Sequence, residues 1–247
     1  MKLNTSLLFT LLILFTVRCT SGSNTWSYRP MDINRTKPTN KSIAIVIFED
    51  ARDIKRYSHM LDAFIPFVNK GKRLSNQPEF TLWYSFYSSE YNMPEGNCVK
   101  TEYGGDYNNF KPNLNFASAF YTEINNENLF KEVRFVCNRL VAKSDYYLEG
   151  KIIDTSIYTE IKTYRLGLLF AYIPWFLGAD TSENIVNLKM QLQLADKENN
   201  IIFKKVYYAT QKKITNSLYA DNTLMVYEDM IKEIYKQFHE DIKNIKL

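Results

Sequence analysis

Three carboxylates stand close together between Glu49 and Asp53 (EDARD), where an apolar run ends. Their oxygens could hold a hard divalent cation, or they could supply the acid and the base of a catalytic pair. The alternative is structural, because Arg52 and Lys55 can pair with these carboxylates while the carboxylates cap a turn or a helix. We favour the structural alternative and expect no metal, no cofactor and no catalytic residue.

Few other residues offer chemistry. The two histidines, His59 and His239, are far apart in the sequence, which leaves little material for a histidine metal site or for histidine acid-base catalysis. No glycine-rich phosphate loop, Gly-x-Ser-x-Gly elbow or His-Glu-x-x-His pattern occurs. The formal charge of +4 on 247 residues is small and dispersed, which argues against a nucleic-acid partner. A binding protein is therefore favoured over an enzyme.

The amino terminus has the pattern of an export signal. Leu7 to Val17 (LLFTLLILFTV) is an apolar run of 11 residues after the basic Lys2. That length suits the core of a signal peptide, whereas a membrane-spanning helix needs about 20 apolar residues. We expect residues 1–18 to be a signal peptide that takes no part in the folded domain.

Cys19 follows this run, an arrangement similar to a bacterial lipoprotein signal, in which the cysteine receives a diacylglycerol and becomes the first residue. Arg18 stands where such signals normally have a small residue, so the alternative is secretory cleavage after Ser21 or Ser23. We expect lipidation at Cys19 and attachment to the periplasmic side of a membrane in the cell envelope, held by acyl chains. Without lipidation the protein would be periplasmic or secreted.

The other two cysteines are Cys98 and Cys137. An even number of thiols in an oxidising compartment predicts a disulfide between them. The alternative is two unpaired thiols, with Cys137 buried in its strand.

Composition and periodicity divide the chain behind the signal. Residues 19–41 are rich in Ser, Thr, Asn and Pro without an apolar period, as in a flexible tether. Residues 42–247 predict a single α+β domain with an irregular insertion at about 80–110. Its clearest elements are a buried strand at 42–48, a hairpin at 185–210 and an amphipathic helix at 221–245. We expect an antiparallel or mixed sheet with helices packed on one side.

Two apolar segments bounded by Pro and Gly do not fit these elements, namely Leu61 to Val68 (LDAFIPFV) and Leu166 to Gly178 (LGLLFAYIPWFLG). As loops, they either complete the core or form an exposed surface that docks on a protein or a membrane interface. The residues that we expect on such a docking surface are Phe64, Ile65, Phe67, Trp175, Phe176 and Leu177.

Three segments resemble a family of small bacterial envelope lipoproteins: residues 42–53 (SIAIVIFEDARD), 60–79 (MLDAFIPFVNKGKRLSNQPE) and 128–150 (NLFKEVRFVCNRLVAKSDYYLEG). Similar patterns occur in the TolB amino-terminal-like and transporter-auxiliary lipoproteins. The segments cover less than half of the mature chain. The resemblance implies an αβ sandwich, a location in the envelope and a non-catalytic binding or assembly role with an envelope protein partner. The alternative is a secreted enzyme or metal-binding protein that uses the Glu49 to Asp53 cluster.

Overall fold

The structure is a computed structural model, and it describes residues 25–32, 39–53, 56–59, 70–75, 88–90, 94–96, 111–164, 166, 168–215, 223–243 and 245. The strands are β1 (Thr25–Ser27), β2 (Thr39–Val46), β3 (Glu49–Asp50), β4 (Arg56–His59), β5 (Lys70–Ser75), β6 (Ser88–Glu90), β7 (Phe130–Val136), β8 (Tyr146–Asp154), β9 (Ile157–Lys162), β10 (Ser182–Asp196) and β11 (Ile201–Thr215). The helices are α1 (Pro112–Glu127), α2 (Leu168–Phe176) and α3 (Thr223–Lys243).

The predicted buried strand is β2, which lies between two parallel neighbours, β7 and β8. Its residues from Ile43 to Val46 are buried on both faces, as their continuous apolar run predicts. A short strand, β3, continues the pairing with β8 after an interruption at Ile47 and Phe48. The end of the sheet formed by β7, β2 and β8 is therefore parallel.

The predicted hairpin is β10 and β11, which pair antiparallel along nearly their whole length. Burial alternates along β10, so Val186, Leu188 and Met190 face the core while Lys189 is exposed. At the turn, the Asp196 carboxylate accepts hydrogen bonds from the backbone N–H groups of Glu198 and Asn200. The other side of β10 pairs with β9 in its first part and with β8 in its second part.

The main sheet follows the order β4-β5-β9-β10-β8-β2-β7, with β11 added on β10 and β3 on β8. Helices α1 and α3 cover one face through a continuous aromatic and aliphatic core. Members of that core from the two helices include Phe116, Phe120, Tyr227, Tyr235 and Phe238. The α+β class with a mixed sheet is thus confirmed, and two of the described helices, α1 and α3, pack on one side of it.

Three predictions need correction or stay open. The apolar segment predicted as a loop at Leu166 to Gly178 contains a helix, α2, even though Pro174 lies inside it. β2 begins at Thr39 and residues 28–32 contact α1 and α3, so the predicted tether at 19–41 is not free over its whole length. Within the predicted insertion the structure describes 88–90, which pair with β1, and 94–96.

Candidate functional site

The most exposed apolar group of the helices lies on α2. No residue from Leu166 to Gly178 carries a charge. Phe176 and Leu177 come three and four residues after Ile173, the spacings that put side chains on the same side of a helix. Their exposed fractions are 62%, 44% and 84%. We call these three residues the α2 face.

Trp175 lies between the members of the α2 face and is directed the opposite way. Only 6% of it is exposed, and its indole Nε1 donates a hydrogen bond to the carbonyl oxygen of Lys162, at the end of β9, at 2.9 Å. The helix ends at Phe176, and Gly178, two residues later, has a φ of 95°, a left-handed conformation that suits glycine. Trp175 therefore fixes α2 against the sheet, and the α2 face remains exposed.

The structure thus separates the residues predicted for the docking surface. Phe176 and Leu177 are exposed as predicted, whereas Trp175 is buried, because its hydrogen bond to Lys162 draws the indole inward. The other three predicted residues, Phe64, Ile65 and Phe67, lie outside the described residues. Ile173 is exposed as well but is not among the residues predicted for the docking surface, and its helical spacing to Phe176 would identify it if the segment were predicted as a helix.

A nine-residue helix such as α2 cannot cross a bilayer, which requires about 20 residues. Among the described residues, no helix is long and apolar enough to span a membrane.

In the Glu49 to Asp53 cluster, two carboxylates are engaged by cations. Asp50 receives two hydrogen bonds from the guanidinium of Arg52, at 2.7 and 2.6 Å, and Glu49 contacts Lys151 Nζ at 2.7 Å. Arg52 also donates to Thr155 Oγ1 at 2.8 Å. Partial burial acts to raise the pKa of Asp50, but the bonds and charge of Arg52 outweigh it and hold that pKa below its ordinary value.

This geometry fits the structural alternative for the cluster, although Lys55 lies outside the described residues. Arg52 joins the end of β3 to the residue that follows β8, and so it fixes two strand ends. In the part of the chain that the structure describes, no three His, Cys, Asp or Glu side chains are grouped as a metal site would require.

Two buried carboxylates on α1, Glu123 and Glu127, were not singled out from the sequence. Both are completely buried, one helical turn apart. Their spacing from Phe120 and Ile124 places them beside the apolar stripe of the helix, and this is the signal that could have identified them. Such burial is costly unless partners are supplied.

Glu123 obtains its partners from the amino-terminal segment 28–32. The hydroxyl of Tyr28 donates to Glu123 Oε1, and the backbone N–H of Met31 donates to the same oxygen at 3.0 Å. Burial raises the pKa of Glu123 above its ordinary value, since its effect and that of the neighbouring Glu127 charge exceed the opposing effects of Tyr28, Met31 and Lys232. The segment is thus held on the helices by a buried carboxyl group.

Glu127 obtains its partners from α3. The hydroxyl of Tyr235 donates to Glu127 Oε2 at 2.8 Å. His239 Nδ1 lies 3.0 Å from the same oxygen, but no hydrogen bond joins the two atoms. Burial is the main reason why the pKa of Tyr235 is raised far above its ordinary value, and the charge of Glu127 adds to it. This contact joins α1 to α3 and is a structural one.

Cys137, just after β7, is disulfide-bonded. The segment 94–96 runs beside the end of that strand, where the N–H of Cys137 donates to the Glu95 carbonyl oxygen at 3.0 Å. A Cβ on Gly96 would lie 2.9 Å from Cys137 Sγ. Cys98, two residues further along, and Cys19 lie outside the described residues. The Cys98–Cys137 pairing therefore stays a prediction, which this proximity favours.

No family model matches the chain, and no curated protein matches it either. Among solved structures, the chain is similar to protein XCC0632 from Xanthomonas campestris, of the DUF330 family. The similarity has a TM-score of 0.36 and 8% sequence identity, and it covers 88% of this chain and 99% of that one. A similarity at that level carries no inference about this protein.

Proposed function

We propose that this chain is an exported lipoprotein, anchored through Cys19, that acts as a non-catalytic binding or assembly module in the bacterial cell envelope. The α2 face is its docking surface for an envelope component. The observation that carries this proposal is the opposite placement of neighbouring residues on α2, with Trp175 buried and Phe176 and Leu177 exposed. A helix that is fixed from beneath can present apolar side chains without losing them to the core.

The proposal includes a TolB amino-terminal-like αβ sandwich. Its support is strand β2, which is parallel to both of its neighbours, β7 and β8, with α1 and α3 on one face. Two of the segments that carry the lipoprotein resemblance also meet in space. Phe48, from residues 42–53, lies directly against Gly150, from residues 128–150. These two segments therefore pack against each other in the folded domain.

A protein partner has a separate surface available on β11. Among the described strands, β11 pairs with β10 alone, so one edge of β11 has no strand beside it there. Val206 and Tyr208 are exposed on the face of the sheet opposite the helices, and Lys204 is exposed beside them. An edge strand of this kind can receive an extended segment of another protein.

The lipid attachment is tested by intact mass of the mature protein. We expect a first residue of Cys19 carrying acyl groups, and we expect Cys19→Ser to be unprocessed or unlipidated. A mature terminus beyond Cys19 in the water-soluble fraction would reject the lipid anchor.

The docking surface is tested with a photoreactive amino acid placed at Leu177 in cells that carry the full chain. Leu140 is the matched control position, since it is also a leucine and is 96% exposed in a turn on another part of the domain. We expect adducts with an envelope protein or lipid from position 177 and none from position 140. Equal labelling, or no adduct at 177, would contradict the proposal.

A further inference from the structure

The end of the sheet that holds α2 is rich in cations. Helix α2 lies between the end of β9 and the start of β10, because Trp175 bonds to Lys162 and the N–H of Lys162 bonds to the Thr181 carbonyl oxygen. The register brings the start of β5 and the end of β11 to the same place, with Lys70 opposite Lys162 and Thr215 opposite Ser182. The ends of four strands, β5, β9, β10 and β11, therefore lie next to the carboxyl end of α2.

We define the basic end as residues 70–73, 159–162, 180–185 and 212–215. It contains six Lys or Arg residues against three Asp or Glu residues, a net charge of +3 where the entire chain has +4. The basic residues are Lys70, Lys72, Arg73, Lys162, Lys212 and Lys213, and the acidic ones are Glu160, Asp180 and Glu183. Two of the acids are already paired, Asp180 with Lys162 and Glu183 with Lys212.

Helix α2 carries exposed apolar side chains and no charge, and it lies next to the basic end. This combination is complementary to the surface of a membrane that contains anionic lipid. At such a surface, exposed apolar side chains enter the boundary between headgroups and acyl chains, while cations near them attract the phosphate groups. Leu177, the most exposed member of the α2 face, comes directly after the last residue of the helix and two residues after Trp175, which bonds to the end of β9. The most exposed apolar group therefore lies at the end of α2 that is nearest to the basic end.

We propose that the α2 face inserts into the interfacial region of an anionic bilayer, namely the membrane to which the chain is anchored. This inference rests on the proposed envelope function and names the component that the α2 face binds. The lipid anchor and the α2 face would then contact the same membrane at two points and orient the domain on it. The edge of β11 would remain available to a protein.

The test uses the full protein reconstituted in vesicles of phosphatidylglycerol and phosphatidylethanolamine, with a nitroxide label on Leu177→Cys. The matched control is Leu140→Cys, and the unsubstituted protein, treated identically, corrects for label on the native cysteines. Oxygen concentrates inside bilayers and a charged nickel chelate stays in water. At position 177 we expect vesicles to raise oxygen access and to lower nickel access severalfold, with no change at position 140.

Charge reversal provides a second arm. Lys72→Glu with Arg73→Glu should reduce the protection of the label at 177 from the nickel chelate at least about threefold. Lys204→Glu, on β11 away from the basic end, should leave that protection unchanged. Vesicles of phosphatidylcholine alone should give weaker protection for the same reason. A label at Ile173→Cys should give the same result as the label at 177. This second position shows that the result does not come from the substitution at Leu177 itself.

Equal accessibility at 177 and 140 in anionic vesicles would overturn the inference. Protection from both reagents that appears only after envelope proteins are added would also overturn it, because the occupant would then be a protein. These outcomes are separate from failure of the envelope proposal, since a protein found without acyl groups can still be added to vesicles and tested in the same way.

Discussion

The ring of Phe48 lies against Gly150 so closely that a Cβ on Gly150 would be 2.5 Å from the ring carbons. Phe48 is buried and also packs edge-on against Phe120 of α1, with 5.6 Å between ring centroids. This contact occurs where pairing between β2 and β8 stops and β3 takes over. The missing side chain at Gly150 thus lets the ring of Phe48 lie against β8 and reach the helix layer.

Gly150→Ala should therefore destabilise the protein by about 1 to 3 kcal/mol, because the added methyl group overpacks the core. Chemical denaturation of the wild-type and variant proteins measures the change. In a Phe48→Leu background the same substitution should cost less, since the smaller side chain leaves room. An equal cost in both backgrounds would show that Phe48 is not what excludes a side chain from position 150.

Glu123→Gln should change how stability depends on pH. Because the folded-state pKa of Glu123 is raised above its ordinary 4.5, the stability linked to its proton is complete below about pH 4.5 and is lost as pH rises through the folded-state pKa. The variant cannot ionise there. Its free energy of unfolding relative to wild type should therefore increase above about pH 4.5 and level off once the wild-type carboxyl is ionised.

Denaturation at a series of pH values from 4 to 8 checks this difference. Tyr28, Met31, Glu127 and Lys232 all act on Glu123, so the comparison is made between two proteins at each pH rather than along one curve. Parallel curves for the two proteins would show that folding does not raise the pKa of Glu123.

Substitutions on α2 should separate stability from docking. Trp175→Ala removes a buried aromatic side chain and its hydrogen bond to Lys162, and we expect a loss of about 3 to 5 kcal/mol. Phe176→Ser with Leu177→Ser changes exposed side chains, so the melting temperature should stay within a few degrees while membrane or envelope contact weakens. Thermal melts decide the first part. A large melting shift in the double variant would place these residues in the core.

Reduction should destabilise the protein if Cys98 is the partner of Cys137. In the chain-entropy view, a bridge across 39 residues contributes about 4 kcal/mol when it is unstrained. Thiol labelling of denatured, unreduced protein measures the pairing directly, and Cys98→Ser should free one thiol at Cys137. A variant in which Cys137 stays blocked would identify a different partner for it.

Elements that depend on local periodicity could be predicted from the sequence. The alternation from Val186 to Leu194 determines the buried and exposed faces of β10, because a strand in an antiparallel sheet buries only one face. The three- and four-residue spacing in α3 likewise predicts its packing on the sheet. The apolar run at 42–48 predicts burial on both sides, and β2 shows it.

The candidate site depended on contacts between distant parts of the chain. The apolar character of the segment from Leu166 to Gly178 is evident from the sequence, whereas the burial of Trp175 and the exposure of Leu177 result from tertiary contacts. The deciding partner is the Lys162 carbonyl oxygen, a backbone atom that no side-chain pattern identifies. The burial of Glu123 depends in the same way on Tyr28, 95 residues away, because a carboxyl group enters a core only where donors meet it.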